Sequence, residues 1–185
     1  VHSETICADL TEDYTDVTGY YSTHFPRKYP PYVREATSHF YRKGKHYLLT
    51  SGTTGYLPNP SEAAIADTWH GPYQVLGNPH PKDVTHTSFH SQIASVFKVE
   101  GKKDLYIAVA DRWLPMQMDL KYEEYAKAYE SVFDPDYQGE KPDFGKFGMD
   151  SMSNTSIARY VWLPIRFQGE MPVVDWLDEW RIEDY

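Results

Sequence analysis

A single cysteine, Cys7, among 185 residues excludes an internal disulfide and any zinc site built from cysteines. Positive charge is also scarce: 18 Lys and Arg stand against 27 Asp and Glu, for a net charge of -9. Phosphate backbones need a basic face, so nucleic acid is excluded as a partner. Long apolar runs are missing as well. None approaches the roughly 20 residues that span a bilayer, so no membrane partner is expected. The opening VHSETICADL lacks an initiator methionine and does not have the layout of a signal peptide. The expectation is a chain that is processed or cut from something larger.

What the sequence has in abundance is aromatic side chains and turn formers. Aromatics make up 16% of the residues, with 16 Tyr and 5 Trp, and there are 13 Pro and 11 Gly. That mixture suits short strands joined by many turns better than a helical bundle. The length is enough for one domain with a real core. An acidic surface with exposed aromatics is compatible with a neutral substrate such as a sugar.

An internal repeat organises the chain. EATSHFYRKGKHYLLTSG (35–52) aligns with QIASVFKVEGKKDLYIAVAD (92–111), placing Phe40 on Phe97 and Gly44 on Gly101. Two extra residues in the second turn then bring Tyr47 onto Tyr106. Both copies read as strand, Gly/Lys hairpin, strand. AAIADTWHGPYQVLG (63–77) resembles TICADLTEDYTDVTG (5–19), each a strand, a polar turn and a strand, and 159–180 forms a third such pair. The unit is four antiparallel strands over about 45 to 60 residues, the period of a β-propeller blade. The expected fold is therefore all-β: a partial propeller of about two and a half blades in a single domain. Residues 1–26 supply the outer half of a blade, 35–78 a blade, and 91–185 a blade with an insertion at 114–157. A sandwich of hairpins is the alternative. A start in mid-blade leaves a sheet edge and an apolar face open, which implies upstream blades.

In such a unit, strand 1 starts on the face where strand 2 ends. The long connections 20–34, 51–60, 78–91 and 114–158 all fall on that face, whereas the opposite face has short turns. Length asymmetry marks the long-loop side as functional. Glu35 opens an innermost strand there, and Gln92 occupies the equivalent place in the next copy. Two polar residues at equivalent positions should point toward the axis and share a pocket. Thr53, Gly55, Tyr56 and Asn59 follow strand 2 of one copy, and Asp111, Arg112 and Trp113 follow strand 2 of the other. Hydroxyls, a charged pair and flat aromatic faces are what a sugar ring needs for hydrogen bonding and stacking. Turn chemistry and blade packing are the plainer explanation of the same residues.

REATSHFYRKGKHYLLTSGTTGYLPNP, with GPYQVLGNP, SFHSQ, ADRW and RYVWLPI, resembles glycoside hydrolase family 43, most of all its branch of exo-β-1,3-galactanases and galactose- or arabinose-releasing enzymes. The likeness covers most of the chain except 114–157. It implies a five-bladed propeller that hydrolyses glycosidic bonds with inversion, with Glu35 as general acid. Gln92 matches a position to which that branch assigns the base. A neutral amide reaches that role only through its imidic acid form, so positioning of water or substrate is the other reading. His90 and Arg159, in matching motifs, join Thr53, Gly55, Tyr56, Asn59, Asp111, Arg112 and Trp113 as implied substrate-binding residues. No catalytic metal or other cofactor is implied; a structural metal ion near the propeller axis would involve His90. The base and acid-modulating aspartates of the family lie in upstream blades, so little activity is expected of these 185 residues alone. The implied location is the periplasm or the exterior of the cell, and the implied partner an oligosaccharide or polysaccharide. A carbohydrate- or protein-binding propeller without catalysis is the competing function.

Within the insertion, DLKYEEYAKAYESVF places Tyr122, Tyr125, Ala126, Tyr129 and Phe133 on one helical face. Asp119 is the expected N-cap, and Glu123/Lys127 an i,i+4 pair. The helix would wall the pocket or pack on a blade edge. His86 and His90 have ligand-like spacing, but not on a helix. Asn154-Thr155-Ser156 matches a glycosylation sequon by chance, and DWLDEWRIEDY reads as a closing outer strand with a solvated tail.

Overall fold

A computed structural model describes residues 3–140, 142–147 and 154–185. Residues 141 and 148–153, within the expected insertion, lie outside the described residues. Three antiparallel sheets account for the strands among the described residues. The first pairs β1 (Thr5–Leu10) with β2 (Val17–His24). The second runs β3 (Arg34–Arg42), β4 (Lys45–Gly52), β5 (Glu62–Ala66) and β6 (Gln74–Gly77) in sequential order. The third repeats that order with β7 (Gln92–Lys98), β8 (Tyr106–Arg112), β9 (Arg159–Gln168) and β10 (Met171–Val174). No sheet closes on itself among the described residues. Each is a meander in which sequential strands are neighbours, even where the connection is long, as between β8 and β9.

The ladders make the repeat physical. Glu35 stands opposite Ser51 and Gln92 opposite Asp111, each one residue from the end of the partner strand. Both inner strands then carry an extra residue, after which Ser38 meets Leu49 and Ser95 meets Val109. In β3 the bulge includes Ala36 at a φ of 49°. Tyr47 stands level with Ile107, not with Tyr106 as the sequence alignment has it. The cause is the turn, where 100–104 replaces 43–44, so the second hairpin carries three more residues and not two.

The second and third sheets face each other through a common core. Phe40, Tyr47, Leu49, Ile93, Tyr106, Val161 and Ile165 are buried there, with the rings of Phe40 and Tyr47 stacked at 4.8 Å. At about 25 cal/mol per Å² of apolar surface, such side chains supply most of the drive that holds two sheets together. Arg42 closes one end of this core. Its guanidinium lies 3.6 Å from the Phe167 ring centroid and makes two hydrogen bonds to Asp104, at 2.9 and 2.6 Å.

The first sheet joins the second through side chains. Asp9, His70, Ser22 and His24 form one hydrogen-bonded row, with links of 2.8, 2.9 and 2.9 Å. Ile6, Val17, Tyr20 and Tyr21 on this sheet are exposed.

The helix α1 spans Tyr122–Phe133 and buries Tyr125, Ala126 and Tyr129. Two expectations fail at its ends. Lys121 is the N-cap position in place of Asp119, with the Glu124 carboxylate accepting from the Lys121 backbone N–H at 3.4 Å. Phe133, in the last turn, is exposed because the helix outruns the surface it packs on. Glu123 meets His86 and not Lys127. The C-terminal segment also departs from expectation: β10 ends at Val174, and after it only a short 3-10 turn, Ile182–Asp184, forms. Asn154 caps the 3-10 turn Thr155–Ile157 by accepting from the Ser156 backbone N–H at 3.2 Å.

Candidate active site

Strand alternation sends Arg34 and Glu35 to opposite sides of β3. Arg34 turns inward, donating to the Thr50 hydroxyl at 2.9 Å and to the carbonyls of Thr50 and Pro60 at 2.7 and 3.2 Å. Its guanidinium comes no nearer than 4.0 Å to Glu62. Burial brings Arg34 down to about 10, still charged at any ordinary pH. Glu35 turns the other way and is half-buried. That burial pushes its carboxyl above the usual range; a hydrogen bond from Gln92 and the charge of Arg34 oppose the push without cancelling it. A carboxyl raised by burial is better suited to act as an acid than an exposed one.

Gln92 is held on three sides. Its amide N–H donates to the Ser51 hydroxyl at 2.8 Å and, across a longer 3.5 Å, to Glu35 Oε1. Its carbonyl accepts from the Trp113 indole N–H at 3.0 Å. The segment leading into Gln92 is unusual. His86, Ser88, Phe89 and His90 all have φ between 53° and 56°, a conformation costly for residues with a Cβ. Asp83 offsets the cost by accepting from the backbone N–H groups of Thr87 and Phe89 at 2.7 and 3.0 Å. Burial pushes the Asp83 carboxyl up, but the hydroxyl of Thr85 and these backbone bonds outweigh it and hold the carboxyl below its ordinary range. Ser88 ties the turn to the connection between β4 and β5 through Ser61 and the Asn59 carbonyl, both at 2.8 Å.

Beside Gln92 lies a narrow cleft between 55–58, 90–92 and 111–114. Gly55, Tyr56, His90, Asp111 and Trp113, all singled out in the sequence, line it, and the rings of Tyr56 and Trp113 are 5.1 Å apart. Burial raises the Asp111 carboxyl. His90 is buried, its Nδ1 has no hydrogen-bond partner, and burial lowers its basicity. The helix stands behind this wall: Tyr129 donates to the Thr54 carbonyl at 2.7 Å, and Tyr125 donates to the Pro58 carbonyl. Leu57, Leu114, Tyr125 and Tyr129 form a small core of their own.

Other selected residues lie elsewhere. Asn59 is buried, its side chain bridging the N–H and C=O of Gly52 at 2.6 and 2.9 Å, so it shapes the loop from behind. Thr53 donates to the Val33 carbonyl at 2.9 Å. Arg112 leaves the cleft to bind the carbonyls of Phe89 and His90 at 2.9 and 3.3 Å, with its guanidinium 5.2 Å from the Trp176 ring. Arg159, paired with Arg112 across β8 and β9, is exposed. Ser51 and Asp83 were passed over in the sequence. The Asp-x-Thr spacing of Asp83 and Thr85, a common local hydrogen-bonded turn, was the available signal for Asp83. Among the described residues no group of three or more His, Cys, Asp or Glu is placed to hold a metal ion.

No family model matches the chain, and no curated protein matches it in sequence. Solved structures do match. A family-43 β-1,3-galactosidase is 26% identical with a TM-score of 0.68, over 98% of this chain and 30% of its own. A second family-43 β-1,3-galactosidase, with galactodeoxynojirimycin, is 24% identical with a TM-score of 0.68, over 97% of this chain and 40% of its own. A variant of the exo-β-1,3-galactanase from Phanerochaete chrysosporium, with β-1,3-galactotriose, is 18% identical with a TM-score of 0.61, over 93% of this chain and 29% of its own. The chain thus spans well under half the length of each of these three. Its fold is that of glycosidases of glycoside hydrolase family 43, as its motifs indicate.

Proposed function

We propose, from a chain that shares the fold of family-43 β-1,3-galactosidases, that it forms part of a five-bladed catalytic propeller in an inverting glycoside hydrolase. The substrate class is a polysaccharide side chain from which galactose or arabinose is released. Glu35 protonates the departing glycosidic oxygen while water, giving its proton to a general base, attacks the opposite face of the sugar. Inversion needs room for that water, with acid and base about 6.5 to 9.5 Å apart. The observation that carries the reading is the half-buried Glu35 carboxyl, raised by burial and joined through Gln92 to an aromatic cleft. Tyr56 and Trp113 offer rings on which the apolar face of a pyranose or furanose can stack. Gln92 positions water or substrate, and upstream blades supply the remaining walls. Proton transfer and water attack, so written, draw on no cofactor. A polysaccharide substrate agrees with a location in the periplasm or outside the cell.

The test is Glu35→Gln in the full-length gene product, assayed on β-1,3-galactan and arabinan oligosaccharides. Turnover should fall by about 10²–10⁴-fold, the contribution of a general acid, while oligosaccharide binding persists. Unchanged turnover would remove Glu35 from the role. Binding by a wild-type protein that hydrolyses neither polymer would favour a non-catalytic carbohydrate-binding module.

A further inference from the structure

Gln92 can present either end of its amide to Glu35, and the two ends do opposite things. An N–H pointed at a carboxylate stabilises the ionised form. A carbonyl pointed there accepts from the protonated acid and stabilises the neutral form. Amide orientation follows from the neighbours that can only donate or only accept. Ser51 can do either. The indole N–H of Trp113 can only donate, and it lies 3.0 Å from Gln92 Oε1. That contact orients the amide with its nitrogen toward Ser51 and Glu35.

We propose that Trp113 is a positioning residue for the acid: its indole N–H holds the Gln92 carbonyl, so that the Gln92 amide stands as a fixed donor to Glu35. The proposal rests on the reading of Glu35 as the acid for its catalytic meaning, but its physical content concerns only the titration of Glu35. The same contact bears on the neutral amide itself. An imidic acid carries a hydroxyl on the former carbonyl oxygen, and the Trp113 N–H stabilises the carbonyl form there. The other groups acting on Glu35 are accounted for: Arg34 lowers it from the far side of β3, and the Tyr129 phenol of α1 lies within electrostatic reach. Trp113 therefore does more than lie beside the Tyr56 ring. It sets how readily the neighbouring carboxyl keeps its proton.

The experiment is a carbon-13 NMR titration of the Glu35 side-chain carboxyl in this chain, for the wild type, Trp113→Phe, Gln92→Ala and the double variant. Trp113→Phe should raise the Glu35 midpoint by about half a pH unit, the size one long hydrogen bond to a carboxylate supports. Gln92→Ala should also raise it. The double variant should match Gln92→Ala alone, because Trp113 acts through that amide; a role limited to packing would add instead. Ser51→Ala should move the midpoint down, since it frees the amide for Glu35. Trp113→Phe leaving the midpoint in place while Gln92→Ala moves it would overturn the proposal. Should Trp113→Phe fail to fold, the wild type still decides. A Trp113 indole proton protected from exchange and close to the Gln92 side chain supports the proposal; one exchanging at the bulk rate overturns it. None of these readouts depends on turnover, so the Glu35→Gln assay fails or succeeds separately.

Discussion

Tyr129, on α1, donates its hydroxyl to the carbonyl of Thr54 across 2.7 Å, joining residues 75 apart in the chain. A helix at one wall of the candidate site is thereby fastened to the loop that forms the wall. Thr54 is fully buried, so its carbonyl has little recourse to water. Tyr129→Phe should lower stability by about 1–2 kcal/mol, and Tyr129→Ala by about 3–5 kcal/mol as the ring leaves a cavity. Urea unfolding checks both: the midpoint should fall with an unchanged slope.

Gly52 tests the same loop from its other end. A Cβ at this position would sit 2.5 Å from the Pro31 carbonyl oxygen and 3.3 Å from Asn59 Oδ1. The first contact is with backbone, which cannot rotate away as a side chain can. Gly52→Ala should cost roughly 1–3 kcal/mol by overpacking, and should perturb the amide resonances of 52–59 more than those of the first sheet. A neutral effect would mean that the 30–31 segment shifts freely.

Arg42 and Asp104 hold the far end of the shared core. Two charge-assisted hydrogen bonds, at 2.9 and 2.6 Å, join a buried guanidinium to a partly exposed carboxylate. Asp104→Asn leaves Arg42 buried with a weaker partner and should cost about 1–3 kcal/mol. Arg42→Met, which keeps contact with Phe167 and removes the buried charge, should cost less than Arg42→Ala. Denaturant midpoints for the three variants give the ranking.

Stability should also decline in mild acid. Burial holds His39, beside His46, and His80, packed on Phe89, neutral down to about 4. An unfolded chain takes up those protons below about 6.5, whereas the native chain refuses them until about 4. The contribution is thus complete above pH 6.5 and is lost progressively as pH falls toward 4. Urea midpoints at pH 7, 6 and 5 should fall in that order, and His39→Gln should flatten the decline. A midpoint that rises on acidification would contradict this account.

The raised Glu35 carboxyl gives the proposed hydrolase an opposite limb. An acid must carry its proton, so turnover should fall as pH rises through the Glu35 midpoint. Gln92→Ala, which removes the hydrogen bond that lowers that midpoint, should carry the basic limb of kcat/KM to higher pH. An unmoved limb would show that another group governs it.

How much of this was legible in advance depended on range. Glu35 and Gln92 were found as equivalents because a repeat is a comparison of the chain with itself, and the ladders place each opposite the next-to-last residue of its partner strand. The strands and their sequential order followed from alternation and turn residues, which act over a few residues. Counting failed where a turn changed length, and Tyr106 was aligned where Ile107 stands. Residue type alone did not reveal the local partners of Asn59 and Arg112: both have sugar-binding chemistry, and both bind backbone groups inside the protein.

The sequence by itself determined an all-β chain with a long-loop face, a carboxyl at that face and a likeness to glycoside hydrolase family 43. Only the tertiary structure decided which way the Gln92 amide points, which loop α1 supports, and that Asp83 holds the left-handed turn before Gln92. Those decisions depend on groups tens of residues apart, each able to donate or accept in several directions. Their directions are settled only when packing limits each group to the partners within reach.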